Sequence, residues 1–207
     1  MEFNYNQIVL SHEIIAESTG IKVHYNEATI KGIINAMNQS FGGIDLYSEA
    51  DEKAAILFEH IIRFHPFMDG NKRTAMFSMK VFLRNEGIIF ISFPSDVRFL
   101  ISVAENCNSN SEDIARLTKN IQRWISAHCA KENDKREINR IIERNIKILE
   151  KVKGISKSRN MSDILSKSID YWLVEELYPD IDIKYDDLVT ELYELKKSMI
   201  KSYNCFS

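Results

Sequence analysis

The chain has 207 residues, 44% of them hydrophobic and 28% charged, with a formal net charge of −3, which fits a globular protein long enough to bury a substantial core. Charges of both signs are interspersed, so bulk electrostatics give no basis for direct nucleic-acid binding, and no apolar run approaches the roughly twenty residues that would span a membrane. Cys107, Cys129 and Cys205 are scattered without metal-ligand spacing and read as reduced thiols. The start Met1-Glu2-Phe3-Asn4 lacks the basic and apolar regions of a signal peptide, which makes a cytoplasmic setting the expectation. No internal repeat or low-complexity tract is present.

Read in chain order, the pattern is mainly α. Asn26 is placed to cap a helix whose Ile30, Ile33, Ile34 and Met37 recur at spacings of three and four. A helix from about Glu49 to Phe64 buries Ala54, Leu57, Phe58, Ile61 and Ile62 on one face. Pro66 disfavours helical geometry at the residue before it and removes a backbone donor, so that helix stops at or near His65. The chain then turns through Phe67 to Gly70. A second helix starts at Asn71, carries Ala75, Phe77, Ser78, Val81 and Phe82, and ends before Gly87, a left-handed cap. The run Ile88 to Phe93 lies between Gly87 and Pro94, is rich in β-branched and aromatic residues, and reads as a short strand or extended connector. Asp96 begins a further helix, and Ser111 with Glu112 and Asp113 begins another bearing Ile114, Leu117, Ile121, Trp124 and Ile125 on one face.

The chemistry concentrates in one connection, His65-Pro66-Phe67-Met68-Asp69-Gly70-Asn71-Lys72-Arg73. Asn71, Lys72 and Arg73 fall in the first turn of a helix, where unpaired N–H groups and the positive end of the dipole favour anions, and Gly70 lets backbone approach a ligand closely. Two cations in that turn oppose the dipole. A bound anion, most simply the phosphates of a nucleotide, accounts for that local cost. Asp69 beside it could bring in Mg²⁺, which binds through one or two carboxylates together with phosphate oxygens and water. Taken singly, each residue has an ordinary explanation. A His at a helix end is a cap, Asp-Gly is a turn, Lys-Arg is a solvated face and Phe67 is core. The information lies in their order.

That order resembles the signature of the Fic/Doc family, His-x-Phe-x-(Asp/Glu)-Gly-Asn-(Gly/Lys)-Arg, matched at every defining position by His65, Phe67, Asp69, Gly70, Asn71, Lys72 and Arg73. The likeness extends to Ser40-Phe41-Gly42-Gly43-Ile44-Asp45-Leu46-Tyr47 and to Lys80-Val81-Phe82-Leu83-Arg84-Asn85-Glu86-Gly87, stretches similar to the death-on-curing (Doc) branch, and covers roughly residues 4 to 128. It implies a helical bundle with a short β-hairpin flap, and a transferase that moves part of a nucleotide from Mg-ATP, or another nucleotide donor, to a hydroxyl of a protein substrate. His65 would be the general base, Asp69 the Mg²⁺ ligand, and Gly70, Asn71 and Lys72 the phosphate cradle. Arg73 would stabilise developing phosphate charge, Phe67 would anchor the loop, and Gly42-Gly43 would lie in a flap that docks the target. Where adenylyl-transferring members carry Gly, this chain has Lys72. In Doc-like members that replacement accompanies transfer of the γ-phosphate, so phosphorylation of Ser or Thr by a toxin or regulatory modifier of a translation component is the expectation, with adenylylation the alternative and a catalytically idle binding module the reading of a different class.

Residues 1–130 are expected to form this catalytic domain and 131–207 a C-terminal helical extension. The polar run Lys131 to Glu137 is either a linker or the start of a long helix, favoured as helix, whose stripe includes Ile138, Ile141, Ile142, Ile148, Leu149 and Val152. Helices around Ser162 to Tyr178 and Asp186 to Tyr203 follow. They read as a cap packed on the catalytic unit or on a second copy of the chain. Family members held inactive by their own chain carry Ser/Thr-x-x-x-Glu-Gly/Asn. The nearest approaches, Thr190-Glu191-Leu192-Tyr193-Glu194-Leu195 and Ser48 with Glu52 and Lys53, both depart from it. Inhibition by a separate antitoxin is therefore the expectation.

Overall fold

Six helices and two short hairpin strands build the unit that carries the motif. α1 (Tyr5–Thr19) begins at Asn4, whose side chain accepts the Asn6 N–H at 3.0 Å while Gln7 Oε1 accepts the Asn4 N–H at 3.0 Å. This reciprocal capping satisfies donors that a helix start leaves open. α2 (Glu27–Met37) starts where expected, with Asn26 Oδ1 accepting the Thr29 N–H at 3.1 Å, and it buries Ile30, Ile33 and Met37, while Ile34 is half-buried. β1 (Ser40–Phe41) and β2 (Ile44–Asp45) pair antiparallel, Ser40 against Asp45 and Phe41 against Ile44. Gly42 and Gly43 join them at φ 60° and 80°. A two-residue hairpin of this twist needs positive φ at both central positions, which is why two glycines stand there.

α3 (Ala50–Phe64) is the central element, packed on α2, on α4 (Asn71–Asn85) and on α6 (Ser111–His128), and α1 packs on α4. Its burial is correspondingly wide. Leu57, Phe58, Ile61 and Ile62 are at most 1% exposed, each contributing about 1.5–3 kcal/mol by leaving water. Glu59 on the same helix is also fully buried, with its carboxylate bonded to His60 Nδ1 and 3.6 Å from Arg63 Nη1. Phe58 meets Trp124 at 5.6 Å between ring centroids, and Trp124 meets Phe90 of β3 (Ile88–Phe90) at 5.0 Å.

One expectation shifts in detail. The buried stripe of α4 is Asn71, Thr74, Ala75, Ser78, Met79, Phe82 and Leu83 with Met76, while Phe77 and Val81 are only half-buried. With α3 and α1 both against it, the helix buries a face rotated from the one its largest residues mark. α6 begins at Ser111 as expected, capped by Asn110, whose Oδ1 accepts the Asp113 N–H at 3.0 Å.

The computed structural model describes residues 3–92, 96–107 and 110–141, without the side chains of 97 and 98. The expected helices around Ser162 to Tyr178 and Asp186 to Tyr203, the stripe beyond Ile141, the Thr190–Leu195 segment and Cys205 lie outside those residues. Met1–Phe90 with Leu100–Cys129 form one compact unit, and Ile91–Phe99 with the chain from Ala130 form a second. α5 (Asp96–Asn106) begins at Asp96 as expected. β4 (Cys129–Lys131) occupies the start of the polar run, and helix begins only at 135, where Asp134 Oδ1 accepts the Glu137 N–H at 3.0 Å. Asp134 is a capping residue, and that is what sets the later start. Ile138 and Ile141 are each 2% exposed. No helix among the described residues is long and apolar enough to cross a membrane.

Candidate active site at the α3–α4 junction

α3 ends at His65, which adopts φ 45° and ψ 57° and is the only non-glycine residue at positive φ among those described. A left-handed residue followed by proline stops a helix abruptly, and for an L-residue it costs about 1–2 kcal/mol. The result is an exposed imidazole at the edge of a buried helix. Strain of this kind persists only where the surroundings over-determine it.

The next three residues are locked to the segment before α2. The Asn26 N–H donates to Pro66 O at 2.8 Å and the Met68 N–H to His24 O at 3.1 Å, flanking an antiparallel bridge between Tyr25 and Phe67. Phe67 is 3% exposed, its ring edge-on to Tyr25 at 6.3 Å. Asn71 closes the turn from the other side: Oδ1 accepts the Phe67 N–H at 2.9 Å and Nδ2 donates to Phe67 O at 2.7 Å. Both of these bonds are buried. The Asn71 side chain thus holds the loop, and its backbone N–H is the group it offers to an anion.

Gly70 caps α4 at φ 75° and ψ 8°. A Cβ there would stand 2.8 Å from Ile21 Cδ1 and 3.5 Å from His12 Cε1, so glycine is required by conformation and by space. Asp69 accepts the Gly70 N–H on Oδ1 at 2.6 Å and is exposed. Lys72 is exposed and Arg73 half-exposed in the first turn of α4. Chain connectivity therefore gathers His65, Asp69, Gly70, Asn71, Lys72 and Arg73 at one helix start, with Phe67 beneath them. Gly42 and Gly43 belong to a separate projecting hairpin whose Phe41 and Ile44 are 83% and 75% exposed, tied to α3 by Lys53 Nζ 3.3 Å from Asp45.

Several supporting residues carry no motif signal. His12 on α1 is fully buried, stacks on Phe67 at 3.9 Å between ring centroids, and has Nδ1 3.0 Å from Thr74 Oγ1. Burial lowers its pKa below the usual 6.5, partly opposed by the nearby Asp69 charge. Its place could have been read from α1, where the Asn4-x-x-Gln7 capping signature precedes Ile8, Ser11, His12 and Ile15 at helical spacing. Tyr25 and Ile21 had no such signal. Glu52, one half of the weak inhibitory pattern, accepts the Ser48 and Glu49 N–H groups at 3.0 and 3.2 Å and caps α3.

A metal held here would depend on its ligand's phosphates. Among the described residues no group of three or more His, Cys, Asp or Glu is placed to hold a metal. A lone exposed carboxylate beside a helix start instead fits Mg²⁺ arriving with phosphate, since that ion keeps several waters and needs only one or two carboxylates. Neither Cys107 nor Cys129 suits a nucleophile, because burial pushes their thiols up to about 11 and about 12.

A helix start with a left-handed glycine cap, an adjacent carboxylate, first-turn cations and an exposed histidine meet at one junction of a helical protein. Residues 2–83, which run from before α1 into α4 and contain the whole junction, match the model of the Fic/DOC family. What the match shows is a likeness of this part of the chain to that family. No curated protein and no solved structure matches the chain.

Proposed function

We propose that the chain transfers the γ-phosphoryl group of Mg-ATP to a serine or threonine hydroxyl of a protein. The observation that carries this reading is the junction itself: His65, Asp69 and Lys72 are exposed around an α4 start capped by Gly70 in the left-handed region. The N–H groups of the first turn and the Lys72 ammonium hold phosphate oxygens, and Arg73 offsets charge as it develops. Asp69 carries the Mg²⁺, which neutralises phosphate charge when bound. His65 takes the hydroxyl proton as the oxygen bonds to the γ-phosphorus and the bond to the β–γ bridging oxygen breaks, releasing ADP. Lys72 favours the γ- over the α-phosphate, because its bulk and charge fill the space a glycine would leave for phosphates near the helix start. Adenylyl transfer is the second reading. A separate inhibitor protein is the partner expected to restrain the enzyme, since Glu52 is engaged in capping α3.

The test is labelling of a bacterial lysate with Mg²⁺ and ATP labelled at the α- or the γ-phosphate, using the wild type and His65→Ala. Label from γ alone, lost with His65, is the expected result. Label from α would replace the kinase with an adenylyltransferase, and Lys72→Gly should shift transfer in that direction. Equal labelling by His65→Ala would remove the general-base assignment.

A further inference from the structure

Beneath the turn lies a histidine that the nine-residue motif does not contain. The His12 ring meets that turn at two points, stacking on Phe67 with 17° between planes and bonding Thr74 in the first turns of α4, and its Cε1 lies 3.5 Å from where a Cβ on Gly70 would stand. Packing alone does not ask for an imidazole. Burying one removes a polar ring from water, and Nε2 has no hydrogen-bond partner among the described residues, a cost that a phenyl ring would avoid. What the imidazole supplies, and a phenyl ring cannot, is the bond to Thr74.

We propose that His12 is a positioning residue of this site, fixing the height and tilt of Asp69 to Arg73 through its simultaneous hold on Phe67 and Thr74. The inference rests on the functional reading above. His12 is buried and acts through the turn, so it touches no substrate. Its effect is preorganisation: groups that must face a phosphate and a reacting hydroxyl are kept in one geometry before either arrives, and a displacement of about 1 Å at such a site can cost about a hundredfold in rate.

Two single variants of the full chain test this, His12→Phe, which keeps the stack and loses the bond, and Thr74→Val, which keeps the shape and removes the other partner. Hydrogen exchange without nucleotide should show amides in the 66–75 segment opening at least about tenfold faster in both, with α2 and α6 unchanged. In γ-phosphate labelling of the lysate, kcat should fall by about 10- to 100-fold while the KM for ATP moves by less than about threefold. The double variant should be no slower than the worse single one, because both remove the same bond. His12→Asn, whose amide reaches toward the Nδ1 position, should recover part of the rate. Unchanged exchange over 66–75 in both single variants overturns the proposal. Exchange rising equally throughout the unit also overturns it, because His12 would then contribute general stability only. Local loosening in a chain whose wild type transfers nothing would uphold His12 as the support of the turn while the functional reading fell.

Discussion

Replacing Gly70 by alanine separates two reasons for a glycine that are usually inseparable. At φ 75° an L-residue costs about 1–2 kcal/mol. The new Cβ would stand 2.8 Å from Ile21 Cδ1, the far end of a half-buried side chain, and turning that side chain off its rotamer adds about 0.5–1.5 kcal/mol. Alanine recovers about 0.4–1 kcal/mol by restricting the unfolded chain, leaving a net loss of about 1–2.5 kcal/mol. Gly42 provides the control, with φ 60° and nothing within 4 Å of where a Cβ would stand. Gly42→Ala should therefore lose only about 0.5–1 kcal/mol. Urea denaturation of both variants reads the difference, and in a chain of this size each kcal/mol moves Tm by about 2–4 °C. The steric part should be relieved when Ile21→Ala is added to Gly70→Ala, giving a measurable coupling between the two sites. Equal losses for Gly70→Ala and Gly42→Ala, with no coupling to Ile21, would refute the close-approach argument and leave only backbone conformation.

Asn71→Ala removes two buried bonds to Phe67 and should destabilise by about 2–4 kcal/mol in the same assay. Asn71→Asp should be no better, since it sets an acceptor against the Phe67 carbonyl. His65→Gly should be more stable than His65→Ala by about 1 kcal/mol, because only glycine relieves the left-handed strain, and thermal melts of the two variants check it. The lowered pKa of buried His12 gives stability a defined pH dependence. The unfolded ring takes up a proton below about 6.5 while the folded ring resists it, so this contribution is complete above about pH 6.5 and is lost as the pH falls from there toward the folded pKa. Urea midpoints between pH 7 and 5 should fall less steeply in His12→Phe than in the wild type.

The sequence by itself determined the helix–turn–helix frame of the site, because each boundary rests on local chemistry. Pro66 cannot continue α3, Asn26 caps α2 with its own side chain, and Gly70 and Gly87 stand where the backbone turns left-handed. The motif residues are also consecutive, so chain connectivity alone gathers them. Tertiary structure decided what holds them. Asn71 reads as a phosphate ligand until its amide is seen bonded to both backbone groups of Phe67, a closure that depends on the loop's path. His12 lies 62 residues from Thr74 in the chain, and no local pattern encodes that bond. The Asn4–Gln7 capping signature marks where α1 begins, but its buried stripe includes Ser11 and His12, which dilute the hydrophobic period while packing as core. The same holds for α4, whose buried face follows the neighbours that press on it and leaves Phe77 and Val81 half-exposed. Local propensity fixes where helices begin and end. Which face is buried, and which polar group is spent on structure and which remains for chemistry, depend on contacts between distant segments.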